Sequence, residues 1–164
     1  LILSILKNEG FRVKSLKSID DSFYFNKFDK EYIFSDKNND QFDIKKGVSL
    51  LNKLSMYDNA QATVVSNGYI LGIEATEGTD QLLKRVALEK KKLKLTDREG
   101  ILIKISKINQ SNNTDNPVIG PKTILNAVKA NLNGIAIKKI NTIVFNKSKI
   151  IKMLNENKLN LYFI

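Results

Sequence analysis

The sequence predicts an α/β protein, a layered mixed sheet with helices packed on it. Segments whose apolar residues recur at three and four alternate with short branched or alternating runs along the whole chain. An Asn-Gly pair between two of the branched runs marks a β-hairpin. A chain of 164 residues with 42% hydrophobic content supplies a core of ordinary size, and no apolar run approaches the roughly 20 residues of a membrane-spanning helix.

Taken in order, residues 1–7 read as the end of an amphipathic helix stopped by Gly10, and residues 11–16 alternate like a strand, so the chain opens on an αβ unit. Residues 19–40 are aperiodic but carry Phe23, Tyr24, Phe25, Phe28, Tyr32 and Phe34 among charges. They read as a connector laid against a surface, with residues 36–40 as a hinge. Asp40 is a good N-cap for a helix whose apolar face is Ile44, Val48, Leu51 and Leu54, ending near Met56. Residues 62–65 and 69–74 flank Asn67-Gly68, which accepts the positive φ angles of a tight primed turn. A helix from about Thr79 then turns Leu82, Leu83 and Val86 inward and ends in a lysine run.

Residues 101–105 form a short, buried type of strand. Residues 107–117 are polar, with four Asn, and too long for a simple connection, the kind of loop that carries sites. Gly120-Pro121 opens a helix with Ile124, Ala127 and Val128 inward, ending near Asn133-Gly134. Strands at 135–137 and 142–145, a helix at 148–157 and a strand at 159–163 complete the chain. With no repeat and no sharp shift in composition, the expected organisation is one domain, residues 40–164, after a remnant αβ unit and connector, residues 1–39.

Composition removes several chemistries. Without cysteine there is no disulfide framework or thiolate nucleophile, which fits a reducing, cytoplasmic compartment. Without histidine, Ser-His and Cys-His pairs and imidazole-ligated metals are excluded within this chain, leaving carboxylates, lysine or a metal. Residues 1–6 lack a basic stretch and a cleavage site, and the chain does not begin with Met, so a piece of a longer protein is expected. The net charge of +10 favours phosphate ligands, nucleic acid or anionic headgroups without choosing among them.

Two groups of residues could carry chemistry. Glu74, Glu77 and Asp80 span a strand end, a loop with Gly78 and a first helical turn, where carboxylates can hold Mg²⁺ and helix amides an anion. The same spacing is met by Thr79 or Asp80 capping the helix while Glu77 complements its dipole. Lys104 and Lys107 straddle a strand end, with Gln110 and Asp115 in the following loop, a mixture suited to phosphoryl transfer or, equally, to a solvated strand end and a turn.

Gln61, the run GIEATEGTDQLLKR at 72–85, GILIK at 100–104, Lys107, Gln110, DNPVIGPKT at 115–123 and LNGIAI at 132–137 together resemble the C-terminal half of the bacterial UDP-2,3-diacylglucosamine pyrophosphatases of the histidine-free, LpxI type. The resemblance implies a missing N-terminal domain of Rossmann-like character, and a C-terminal acyl-sugar and catalytic domain. It also implies a homodimer, and a cytoplasmic enzyme at the inner-membrane surface with no nucleic-acid partner. The implied reaction is Mg²⁺-dependent hydrolysis of an acylated UDP-sugar to UMP and the lipid product 2,3-diacylglucosamine 1-phosphate in lipid A synthesis.

By the same resemblance Asp115, Glu77 and Asp80 are catalytic, and Glu74, Glu77, Asp80 and Asp115 bind the metal. Gln61, Gly78, Thr79, Arg85, Lys104, Lys107, Gln110 and Thr123 bind substrate. Relatives usually read Q-D-x-R-x-D-x-P where this chain has Ser111 and Asn113, and Ala60 stands at a usual Gly. Losing an arginine that grips phosphate bidentately keeps a second expectation open, a non-catalytic acyl-sugar-binding homologue. A basic nucleic-acid-binding module is a further alternative, supported by charge alone. Taken by itself, the 164-residue piece is expected to be nearly inactive.

Overall fold

The computed structural model describes residues 2–35, 39–57, 60–107 and 116–164. Its helices are α1 (Ile2–Asn8), α2 (Leu16–Ile19), α3 (Asp40–Leu54), α4 (Gly78–Lys92), α5 (Pro121–Lys129) and α6 (Lys147–Asn157). Its strands are β1 (Ala62–Ser66), β2 (Tyr69–Ile73), β3 (Ile101–Lys104), β4 (Val118–Ile119), β5 (Gly134–Ile137), β6 (Ile143–Val144) and β7 (Asn160–Phe163).

Five strands form one sheet in the order β2-β1-β3-β5-β7, and β4 pairs with β6 in a separate parallel ribbon. β1 is antiparallel to both β2 and β3, whereas β3, β5 and β7 run parallel, so the sheet is mixed as expected. The register explains the continuous apolar character of β3 and β5. Val64, Leu102, Ile135 and Leu161 stand in one row and pack with Leu82, Val86, Ile124 and Leu154 of α4, α5 and α6. The alternate residues Val65, Ile101, Ile103, Ala136 and Tyr162 pack with Ile44 and Leu51 of α3 on the opposite face. Strands covered on both faces have no polar side to show. At Gly47, α3 lies so close to the sheet that a Cβ would stand 2.6 Å from Cδ1 of Ile103.

The hairpin forms as read, with Asn67 at φ 49° and Gly68 at φ 80°. It is held from α3, because the Asp43 carboxylate accepts hydrogen bonds from the amides of Asn67 (2.9 Å) and Gly68 (2.7 Å). Burial nonetheless pushes the Asp43 carboxyl above its ordinary value, outweighing those two donors. Ala60 adopts φ 56°, the left-handed region that glycine enters without steric cost. Ala60→Gly is therefore expected to raise stability by about 0.5–1 kcal/mol, read as a small increase in denaturation midpoint.

Asp40 departs from its expected role. Asn39 occupies the cap position without a side-chain capping bond, while Asp40 is buried and accepts from the Tyr162 hydroxyl (2.6 Å) and from the Asn133 side-chain amide. A carboxylate flanked by two fixed donors gains more there than at a water-exposed helix end. Asn160 continues the network, donating to Tyr162 Oη (2.9 Å) and to the Ser35 carbonyl (2.6 Å) and accepting from the Phe34 amide (2.7 Å).

The aromatic connector lies on the structure as expected. Tyr24 and Phe25 are buried, and Tyr32 exchanges backbone hydrogen bonds of 3.1 and 2.8 Å with Leu161 along the outer edge of β7. Phe28, by contrast, is 81% exposed. Residues 11–15 do not form the expected strand, and 16–19 are helical. A ladder needs a partner, and none stands beside this segment among the described residues. Among the described residues, no helix is long and apolar enough to cross a membrane.

Candidate anion-binding site

β3 ends at Lys104, at the carboxyl end of the parallel part of the sheet, where α/β proteins place ligands. Beside it, β2 runs out through Glu74 into a short loop, and Gly78, at φ 77°, starts α4. α5 begins one layer away at Pro121, after Gly120, whose amide donates to Thr123 Oγ1 (3.4 Å). These elements enclose a hollow of about 390 Å³ walled by Glu74, Glu77, Gly78, Thr79, Asp80, Lys104, Val118 and Thr123. Two helix N-termini thus border it, and the positive ends of their dipoles favour an anion.

The side chains are organised by Thr79. Its hydroxyl donates to Glu74 Oε1 (2.5 Å) and accepts from Lys104 Nζ (2.5 Å), while Glu74 Oε2 accepts the Gln61 amide (3.0 Å). Lys104 is buried, and desolvation pulls its ammonium below the ordinary value of 10.5, an effect opposed by Glu74 and Asp80. One of its three donors is used by Thr79, which leaves the ammonium able to hold an anion in the hollow.

The sign of the titration follows from the lowered value. The penalty on the charged form is present at pH below the folded pKa and is relieved as pH rises from there to 10.5. Anion binding has the opposite trend, since the cation is lost over the same interval. Pyrophosphate affinity, measured by calorimetry across alkaline pH, should fall at a pH below 10.5, and Lys104→Arg should move that fall upward.

Glu77 stands at the N-cap position of α4 but makes no side-chain capping hydrogen bond. Glu77 pairs with Arg85 at 2.8 Å, and that hydrogen bond is the main reason its carboxyl lies below the ordinary range. Asp80 meets Lys122 at 2.9 Å and accepts from Asn126 (3.1 Å). Sequence reasoning missed Lys122, Asn126 and Val118 as parts of this region. The one available signal was Asn126, a polar residue on the apolar face of α5 between Thr123 and Ala127.

The structure therefore brings Glu74, Glu77, Gly78, Thr79, Asp80, Lys104 and Thr123 to one hollow, with Gln61 bonded at its edge. Arg85 stands apart from its wall, engaged with Glu77 and with the Ile73 carbonyl (3.0 Å). Lys107 follows the end of β3, whereas Gln110 and Asp115 lie outside the described residues.

Mg²⁺ commonly takes only one or two carboxylates, with waters and phosphate oxygens completing its shell. Among the described residues no three acids are grouped as a cation site, and both oxygens of Glu74 are already bonded. Asp80 and Glu77, about one-third exposed on the wall, fit such a sparse ligand set.

A buried lysine, a bridging hydroxyl, carboxylates and two helix N-termini at a strand end make an α/β domain chemically suited to phosphate. The profile of the LpxI C-terminal domain matches residues 33–162, and the chain belongs to that family. Over 95 residues the chain is 39% identical to the UDP-2,3-diacylglucosamine pyrophosphatase LpxI of Caulobacter vibrioides. That alignment covers 57% of this chain and 34% of the relative, so the chain spans about a third of the length of the curated relative it matches.

Proposed function

We propose that this chain forms the second domain of an enzyme that hydrolyses UDP-2,3-diacylglucosamine to UMP and 2,3-diacylglucosamine 1-phosphate in lipid A synthesis. The observation that carries the reading is that residues from three separated family-like stretches, 72–85, 100–104 and 115–123, meet at one hollow of phosphate-binding character. Water attacks phosphorus, the bridging P–O bond breaks, and the leaving phosphate departs with the charge that bond held. Lys104 and the amides of α4 and α5 hold non-bridging oxygens, and Thr79 keeps the Lys104 ammonium on the hollow. Asp115 orients the water and accepts its proton. Asp80, Glu77 and Asp115 would hold a Mg²⁺ ion, which would supply charge neutralisation at the diphosphate.

The reading includes an N-terminal domain closing over the substrate, a homodimer, and a cytoplasmic enzyme working at the inner-membrane surface. Asp115→Ala in the enzyme containing this domain is expected to abolish UMP release with Mg²⁺ present. Wild-type rates would remove Asp115 from catalysis. Ser111 and Asn113, standing where the resemblance leads one to expect an acid and an arginine, favour a second reading, a lipid- or acyl-sugar-binding homologue without turnover. Tight binding of the lipid product with no Mg²⁺-dependent UMP release would select it.

A further inference from the structure

A second, larger hollow of about 940 Å³ runs between the C-terminal half of α4 and α5. Its floor is apolar, with Leu83, Ala87 and Ala130, and its rim carries the exposed lysines Lys84, Lys91, Lys94 and Lys129. Leu88 and Leu93 project from the same stretch at 60% and 62% exposure. We propose that this face docks the protein on an anionic lipid bilayer.

Charge complementarity selects that partner. From residue 81 to residue 96 the chain carries five lysines and a single acid, Glu89, which is held by Lys92 at 2.7 Å. Lys90 serves the scaffold instead. It is buried and donates to the carbonyls of Glu99 (2.9 Å) and Asn131 (2.8 Å), tying the turn after α4 to the turn after α5 beneath the rim. Lysines ringing exposed leucines match a headgroup layer over an acyl boundary, because long cationic stems lie along apolar surface while their ends reach phosphate. Nucleic acid fits less well, since no aromatic ring lines the hollow to stack a base.

The placement deepens the enzymatic reading, on which the meaning of its nearness to the phosphate hollow rests. Asn126 lines the bilayer-facing hollow and donates to Asp80, which walls the other one. Asp80 and Lys91 are eleven residues apart on one helix, about 16 Å, within reach of an acylated sugar leaving a membrane.

Co-sedimentation of the chain with phosphatidylglycerol and phosphatidylcholine vesicles at low salt tests the surface without requiring turnover. Binding to the anionic vesicles is expected, with little to the zwitterionic ones. Lys91→Glu, Lys94→Glu and Lys129→Glu together should lower the partition coefficient by at least about a hundredfold. Leu88→Asp with Leu93→Asp should weaken it by about tenfold while its salt dependence persists. Reversing Lys45, Lys53 and Lys152 should cost far less than reversing the rim, and circular dichroism should show every variant folded. Equal losses from the two triple variants would overturn the proposal, as would absence of phosphatidylglycerol binding, or rim-dependent binding of RNA in place of vesicles. Rim-dependent vesicle binding in an enzyme that releases no UMP would sink the enzymatic reading alone.

Discussion

Lys104→Met is expected to lower kcat/KM for UMP release by about 10²–10³ in the enzyme containing this domain, the effect of removing one preorganised charge from developing oxyanions. The substitution keeps the length of the side chain and leaves Thr79 bonded to Glu74, so the local scaffold persists. Because burial already penalises the charged form of Lys104, stability should change little, with Tm moving by less than about 3 °C. Steady-state kinetics with Mg²⁺ and a thermal melt read both quantities. Full activity in the variant would remove Lys104 from the phosphate site, whereas loss of activity with a collapsed Tm would make it a structural residue.

Asp40→Ala should have the largest effect on stability. It removes the charged acceptor shared by the buried Tyr162 hydroxyl and the buried Asn133 side-chain amide, the latter keeping a long hydrogen bond of 3.4 Å to the Ser35 carbonyl. Losing a buried carboxylate that serves two donors costs about 3 kcal/mol, equivalent to a fall in Tm of about 6–12 °C for a chain of this size. Because Tyr162 also accepts from Asn160, which holds the backbone of residues 34 and 35, amide exchange at Tyr32 and Leu161 should accelerate in the same variant. A loss below about 1 kcal/mol would show that the network is not shared in this way.

Most of the architecture was readable in the sequence because local and tertiary signals agree. The hairpin needs two positive φ angles and has Asn67-Gly68 to supply them, and α5 has Pro121 at its first turn. The inward faces of α4 and α5 follow a clean apolar period, and the sheet covers them as the period demands. The failures came where a distant partner decides. Alternation at residues 11–16 means strand only if a neighbouring ladder exists, and Asp40 reads as a cap until Tyr162, more than a hundred residues away, is placed beside it. β4 is two residues long and is defined by its pairing with β6, which no local pattern announces.

For the hollow, spacing indicated that Glu74, Glu77 and Asp80 would lie near one another, but not that each would already have a protein partner. The bridge from Glu74 through Thr79 to Lys104 joins residues thirty positions apart, and Thr79 by itself looks like an ordinary helix-start residue. Lys122 and Asn126 reach Asp80 across two helices, a contact fixed by packing rather than by periodicity.

The lining of β7 by Tyr32 has a consequence for handling the molecule. A version trimmed of its first 35 residues would leave the amide and carbonyl of Leu161 bare, together with the ring of Phe163 that Phe25 now covers. Open strand borders recruit other chains, so such a shortened form should clump where the longer one stays dispersed, and the aromatic stretch then acts as a guard against self-association.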